Sequence, residues 1–433
     1  MSDNKTINHY KMSTSQTSFK GFVLPMIIIG ALFFIFGFVT WLNGILIPYL
    51  QIACDLTDFQ AMFVAFAFYI AYTIMALPSS WILKKTGFKN GMMVGLWVMA
   101  VGTSIFIPAA ITRTYMTFLI GLFVMGTGLA ILQTASNPYV TVIGPKESAA
   151  RRISILGICN KFAGAMAPLI LAYYILNDGD AFKLSLETMD AVARASALDT
   201  LAARVINPYI VMTVVLLLMG FGVRMAPLPE VDVTKVDENE DEVLSEKKTI
   251  FGFPHLVLGV IALFFYVGAE VVAGDTIIRY GISLGIEMNV AKAFTSYTMV
   301  TMVVGYLLGV ALIPRYISQR FALQMSAILG VVFSLGVVLT SGLTSVIFVA
   351  FFGFANALVW PAIWPLALSN LGRFINTGSA LLIMAISGGA IMPLVWGSLS
   401  DSFGSQQAYW LMIPCYLFIL FYAIKGYKMR SWK

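Results

Sequence analysis

Apolar residues fill this chain in long runs, and polar positions gather in the short gaps between them. A helix crosses the hydrocarbon of a bilayer with about 20 mostly apolar residues. Twelve runs meet that length: 21–50, 58–83, 90–112, 115–143, 150–177, 206–226, 252–281, 289–314, 320–341, 344–370, 376–399 and 406–427. Lipid offers no partner to backbone N–H and C=O groups, so each run is expected to be a helix, which pairs them internally. The predicted fold class is an all-α polytopic membrane protein with twelve transmembrane helices.

The gaps divide the chain. "PEVDVTKVDENEDEVLSEKK" (229–248) is acidic, lacks aromatics and reads as a flexible linker between two sets of six runs. The organisation expected is a polar tail (1–20), a six-helix bundle (21–226), an acidic linker (227–251) and a second six-helix bundle with a short basic tail (252–433). The gap 178–204 has helical apolar spacing and predicts a short surface helix.

Charge then sets orientation. An even number of runs puts both termini on one side. With that side inside, the outer gaps and the run ends beside them hold only Arg113, Lys183, Arg194, Arg204, Arg279 and Lys292 of the 27 Lys and Arg residues, and Lys161 alone falls deep inside a run. The rest lie inside, which predicts cytoplasmic termini in an inner (cytoplasmic) membrane. Residues 1–19 lack the short apolar core and cleavage site of a signal peptide, so the first run reads as a first span.

Composition agrees: 59% of residues are hydrophobic and 11% charged, against about 25% charged in soluble domains. The net charge of +6 reports topology and gives no reason to expect nucleic acid. Cys54, Cys159 and Cys415 sit in or beside apolar runs and are expected as free thiols. The chain has no HExxH, paired CxxC or GxxxxGK[ST], which argues against zinc hydrolysis and against P-loop ATP use. No nucleophile–base set or metal cluster appears, so no enzyme and no cofactor beyond a coupling ion is expected.

The two halves resemble each other. "GAMAPLI" (164–170) matches "GAIMPLV" (389–395) at an offset of 225, "NPYV" (137–140) matches "WPLA" (364–367) at 227, and "NGILIPY" (43–49) matches "GDTIIRY" (274–280) at 231. A parallel repeat of six spans builds one large class of secondary transporters, with the substrate site near the midplane between halves.

Longer strings point to a family. "PSSWILKKTGFKNG" (78–91) is similar to the loop between the second and third spans of the major facilitator superfamily, with Ser80, Lys84, Gly87 and Lys89 in the region but without its usual Asp. "LNGILIPYL" (42–50), "LQTASNPYVTVIGP" (132–145), "FYVGAEV" (265–271) and "FYAIKGYK" (421–428) resemble the fucose permease / glucose–galactose transporter family along nearly the whole chain. The resemblance implies uptake of a monosaccharide coupled to H⁺ or Na⁺ entry. The chain departs from the fucose-permease pattern where coupling acids stand: Gly44 replaces an Asp, Gln133 replaces a Glu, and Lys161 follows Asn160 where a small polar residue is usual.

These departures focus attention on three charges. Intramembrane charge costs about 2.5–3.5 kcal/mol per residue on insertion scales and marks cavities or partners. Glu270, Asp275 and Lys161 are therefore the ion-coupling candidates. The offset of 231 places Asp275 opposite Gly44, so the expectation is a coupling acid moved from the first span to the seventh. Asp275 could instead pair with Arg279 at i,i+4, and Lys161 could pair with Glu270, fix a closed core, or stand in for a bound cation in a uniporter. Sugars need amides and a flat apolar surface. The substrate-binding candidates are Trp41, Asn43, Gln133, Asn137, Asn160, Asn356, Trp360 and Trp364.

The reading that follows is a monomeric sugar importer, with a neutral hexose such as glucose or galactose as cargo, no nucleic-acid partner and the lipid bilayer as solvent. Alternatives are a uniporter, a carrier of fructose, mannose or N-acetylglucosamine, and a non-transporting sugar sensor.

Overall fold

The computed structural model describes residues 19–142, 149–228, 249–313, 315–371 and 374–432. The linker sequence 229–248 and the tail before Phe19 lie outside the described residues. Twelve helices there are long and apolar enough to span a membrane. In chain order spans 1–6 are Leu24–Ala53, Asp58–Leu83, Lys85–Thr112, Tyr115–Ser136, Ile155–Ile175 and Ala191–Met225. Spans 7–12 are Pro254–Asp275, Met288–Leu312, Gln319–Leu339, Gly342–Leu368, Thr377–Phe403 and Gln407–Lys428. By parity both chain ends belong to one face, called here the terminal face.

One expectation needs correction. The gap 178–204 forms two helices rather than one, Gly179–Thr188 and Ala191–Ala203. The extended backbone of Met189 interrupts the first, and Asp190 caps the second by accepting the N–H of Ala193 at 2.8 Å. The second helix, which opens span 6, joins the helix Ile206–Met225 through a tight turn at Arg204 and Val205.

The repeat is visible in the packing. Gly37 of span 1 lies so close to span 5 that a Cβ would fall 1.8 Å from the carbonyl oxygen of Asn160. Gly268 of span 7, at the same offset of 231, is pressed against Met392 and Gly388 of span 11. Gly126 of span 4 would put a Cβ 2.2 Å from the Phe68 carbonyl oxygen of span 2, and Gly353 of span 10, at an offset of 227, one 2.0 Å from that of Thr298 of span 8. Membrane helices associate through such small-residue contacts because lipid supplies no hydrophobic drive between them.

Span 1 is broken within its length, and the helix of span 7 is broken at its end. The first changes course at Leu42, between helices Phe19–Trp41 and Asn43–Ala53, and the seventh at Thr276, between Pro254–Asp275 and Ile277–Ser283. The breaks meet. The Trp41 ring lies against Gly274, where a Cβ would come within 2.3 Å of it, and Gly44 lies against Thr295 and the Gly274 carbonyl.

The halves join through two matching pairs of spans. Span 2 packs on span 11, with Met62 and Tyr69 over Gly397 and Gly389. Span 5 packs on span 8, where Ser296 Oγ donates to the Ala165 carbonyl at 2.6 Å and Tyr306 covers Gly157.

Candidate functional site at the junction of the halves

The three intramembrane charges converge on this junction. Lys161 of span 5 and Glu270 of span 7 form an ion pair, Nζ to Oε1 at 2.5 Å, with each side chain 11% exposed. The same ammonium lies 4.5 Å from the centre of the Trp41 ring, within cation–π range. One cation thus joins spans 1, 5 and 7 across the two halves. Trp41 is held edge-on by the bare backbones of Gly164 and Gly274.

Asp275 stands five residues beyond Glu270 on span 7 and is fully buried, and neither carboxylate oxygen has a hydrogen-bond partner. It does not pair with Arg279. That guanidinium turns to the other half and engages Asp58 and Gln51. The reason is the break at Thr276, which interrupts the regular helical path between positions 275 and 279.

Two tyrosines lie near the acids, and each leads on to further polar or aromatic side chains. Tyr69 of span 2 lies within electrostatic reach of both Asp275 and Glu270. It stacks on Tyr72, ring centres 6.4 Å apart, and Gln133 Nε2 of span 4 donates to the Tyr72 hydroxyl at 3.0 Å. Tyr266, one turn before Glu270, also faces it, and its ring lies 6.4 Å from that of Trp360. Trp360 stacks on Trp364 at 5.3 Å. This run of flat aromatic surface beside hydroxyl and amide donors is the arrangement that a sugar's C–H face and hydroxyls require.

The remaining amides divide. Asn43, at the break of span 1, is 1% exposed and both of its polar side-chain atoms lack partners. Asn160 Nδ2 donates to the Phe33 carbonyl at 3.3 Å, tying span 5 to span 1. Asn356 is turned into the second bundle, where its Oδ1 accepts from Tyr416 of span 12 at 3.0 Å. The side chain of Asn137 lies outside the described ones. Sequence reasoning missed Tyr69, Tyr72 and Tyr266. Their signal was spacing: phenols at i and i+3 in span 2, and one four residues before Glu270.

On the face opposite the chain ends, two carboxylates cross the junction. Asp401 at the end of span 11 accepts the backbone N–H groups of Asp58 and Phe59, both at 3.0 Å, at the start of span 2. Asp180 accepts those of Met288 and Asn289 at 2.7 and 2.9 Å, at the start of span 8. Asp58 and Met288 are related by an offset of 230, so the caps are repeat-related. Ser400 Oγ adds a bond to Asp58 Oδ2 at 2.7 Å. Every hydrogen bond or ion pair joining described residues of the two halves lies on this face or at the midplane. The structure is therefore closed on the face opposite the termini.

Two six-helix repeats, joined at a midplane polar cluster and sealed on one face, define a membrane carrier rather than an enzyme. The Major Facilitator Superfamily model matches residues 29–392, and the chain belongs to that superfamily, in its fucose permease / glucose–galactose transporter branch. A glucose/galactose transporter of Brucella abortus is 35% identical over 428 residues, 98% of each chain. The L-fucose–proton symporter of Escherichia coli is 29% identical over 421 residues, 95% of this chain and 94% of that one. Among solved structures, FucP in the outward conformation aligns over 95% of this chain and all of its own, with a TM-score of 0.71 and 28% identity. A D-xylose–proton symporter shares the fold, with a TM-score of 0.67 at 16% identity over 94% of this chain and 98% of that one.

Proposed function

We propose that this protein imports a neutral hexose, glucose or galactose, by alternating access, driven by the entry of H⁺ or Na⁺. The observation that carries the reading is the Trp41–Lys161–Glu270 contact beside unpartnered Asp275, at the point where the broken spans of the two halves meet. Its setting supports the choice of cargo: Gln133, Tyr72, Tyr266, Trp360 and Trp364 offer hydroxyl partners and aromatic surface around it. The relatives' names point the same way. The positive-inside pattern supports cytoplasmic chain ends; on that reading the sealed face is the outer one and the cargo leaves toward the terminal face. Glu270 and Asp275 are the acids assigned to coupling, with Asn43, Asn137 and Asn160 as further polar groups toward the sugar.

The test is uptake of labelled glucose, galactose, fructose, mannose, N-acetylglucosamine and fucose into proteoliposomes, with H⁺ and Na⁺ gradients imposed separately. Wild type should accumulate glucose or galactose above equilibrium under one gradient. Glu270→Gln and Asp275→Asn should each retain exchange and lose accumulation. Equilibration without accumulation under every gradient would make the protein a uniporter, a reading that the Lys161–Glu270 pair favours as the second choice. Absence of any sugar movement would remove the carrier assignment.

A further inference from the structure

We propose that Lys161 is a tethered counter-cation at Glu270, so that a single mobile cation, held at Asp275, travels with each sugar. This rests on the coupled-carrier reading and assigns its stoichiometry.

The argument is one of charge balance. An unneutralised charge in a dry site is expensive, and buried charges are paired, bind cations or are lost by protonation. Among the described residues, the middle of the junction contains two carboxylates and one ammonium. Lys161 satisfies Glu270 at 2.5 Å and is itself steadied by the Trp41 face at 4.5 Å. Its ammonium occupies the place, between a carboxylate and a π-face, that a free monovalent cation would otherwise fill. Asp275 is left with both oxygens unpartnered and no exposure, and Arg279, the nearest cation in sequence, is committed to Asp58. One negative charge therefore remains to be neutralised by a mobile species, and one only.

The balance makes each substitution specific. Lys161→Gln leaves two unneutralised carboxylates and requires two mobile cations. Glu270→Gln leaves Lys161 to offset Asp275 and requires none. The double variant Lys161→Gln/Glu270→Gln leaves Asp275 alone and returns to one. Lys161→Arg keeps one.

The experiment is sugar accumulation in proteoliposomes under a tenfold gradient of H⁺ or of Na⁺, with the membrane potential clamped at zero. Separate arms identify the ion. Accumulation scales as the gradient raised to the number of cations, so wild type and Lys161→Arg should reach about tenfold and Lys161→Gln about a hundredfold. Glu270→Gln should only equilibrate, and the double variant should return to about tenfold. The proposal is overturned if Lys161→Gln stays near tenfold, or if the wild type already reaches a hundredfold. Should Lys161→Gln not fold, the double variant decides, since loss of its accumulation means that Glu270 itself carried the ion. Failure of the coupled reading is distinguishable: wild type would show counterflow exchange and no accumulation under either gradient.

Discussion

The caps that seal the face opposite the termini should hold the closed state by an amount that can be read from their geometry. Asp401→Ala removes the acceptor of two backbone N–H groups, each at 3.0 Å. A hydrogen bond to a charged group contributes about 1.5–3 kcal/mol net. Phe59 is 39% exposed, so its N–H regains water when released, and the pair together is worth about 1.5–3 kcal/mol. That shifts the balance between open and closed by roughly ten- to a hundredfold. The reporter is Met62→Cys in a background without Cys54, Cys159 and Cys415. Met62 is fully buried beneath Gly397 of the other half, so a membrane-impermeant maleimide reaches it only when this face opens. Labelling should quicken tenfold or more in Asp401→Ala, and similarly in its repeat counterpart Asp180→Ala. Asp190→Ala is the control. Asp190 also caps a helix, Ala191–Ala203, but within one half, so it should alter stability without altering labelling. A rate within twofold of the parent for both cross-junction variants, or an equal rise in Asp190→Ala, would refute the assignment of these carboxylates to gating.

Two further predictions concern stability. Gly126→Ala and Gly353→Ala place methyl groups 2.2 and 2.0 Å from backbone carbonyl oxygens, so each should lose about 1–3 kcal/mol or more, with similar drops in Tm in detergent. Gly222→Ala, with nothing within 4 Å, should not lower Tm. Outside the membrane-spanning segments, the hydrogen bond from Arg204 to Asp178 holds the Asp178 carboxyl below the usual carboxylate range. A depressed folded value means that this contact stabilises above the unfolded value, about pH 3.9, and the gain is lost as pH falls through the folded one. Unfolding followed by tryptophan fluorescence should show a modest acid-side loss in wild type that is reduced in Asp178→Asn, modest because the carboxylate is about half exposed.

The fold was legible because lipid enforces it: runs of about 20 apolar residues have one satisfactory backbone solution. The repeat was legible too, through strings such as "GAMAPLI" and "GAIMPLV". The contacts of the site were less so. Lys161 and Glu270 lie 109 positions apart, and their pairing was one option among several until the helices were placed. Arg279 misled by position: helical periodicity offers it Asp275, but the break at Thr276 frees it for Asp58. The cross-junction caps were invisible because they join aspartate side chains to backbone N–H groups, which every residue but proline carries. The second helix of the 178–204 gap was hidden because its stop and start turn on Met189 and Asp190 alone.

The duplication also explains why the sealing caps and the acids proposed for coupling occupy different levels of the same junction. A repeat supplies two equivalent places for any device. At the face opposite the termini both copies are used, since Asp401 caps span 2 and Asp180 caps span 8, and a rocking motion that parts one pair must part the other. At the midplane the equivalence is broken. The position of Asp275 in span 7 is Gly44 in span 1, and Gly44 is packed so tightly against Thr295 that a Cβ would fall 2.5 Å from its hydroxyl. An acid on both sides would not fit and would double the charge to be neutralised. With Gly44 on one side, the two broken helices touch backbone to backbone, and on the proposed reading the remaining carboxylate lies where the halves separate for cargo to pass. Restoring an acid by Gly44→Asp should therefore prevent the closed junction from forming, and the Met62→Cys reporter should label as quickly as in Asp401→Ala or faster. Labelling at the parent rate would mean that span 1 can yield at this point, and the asymmetry would then need an origin other than packing.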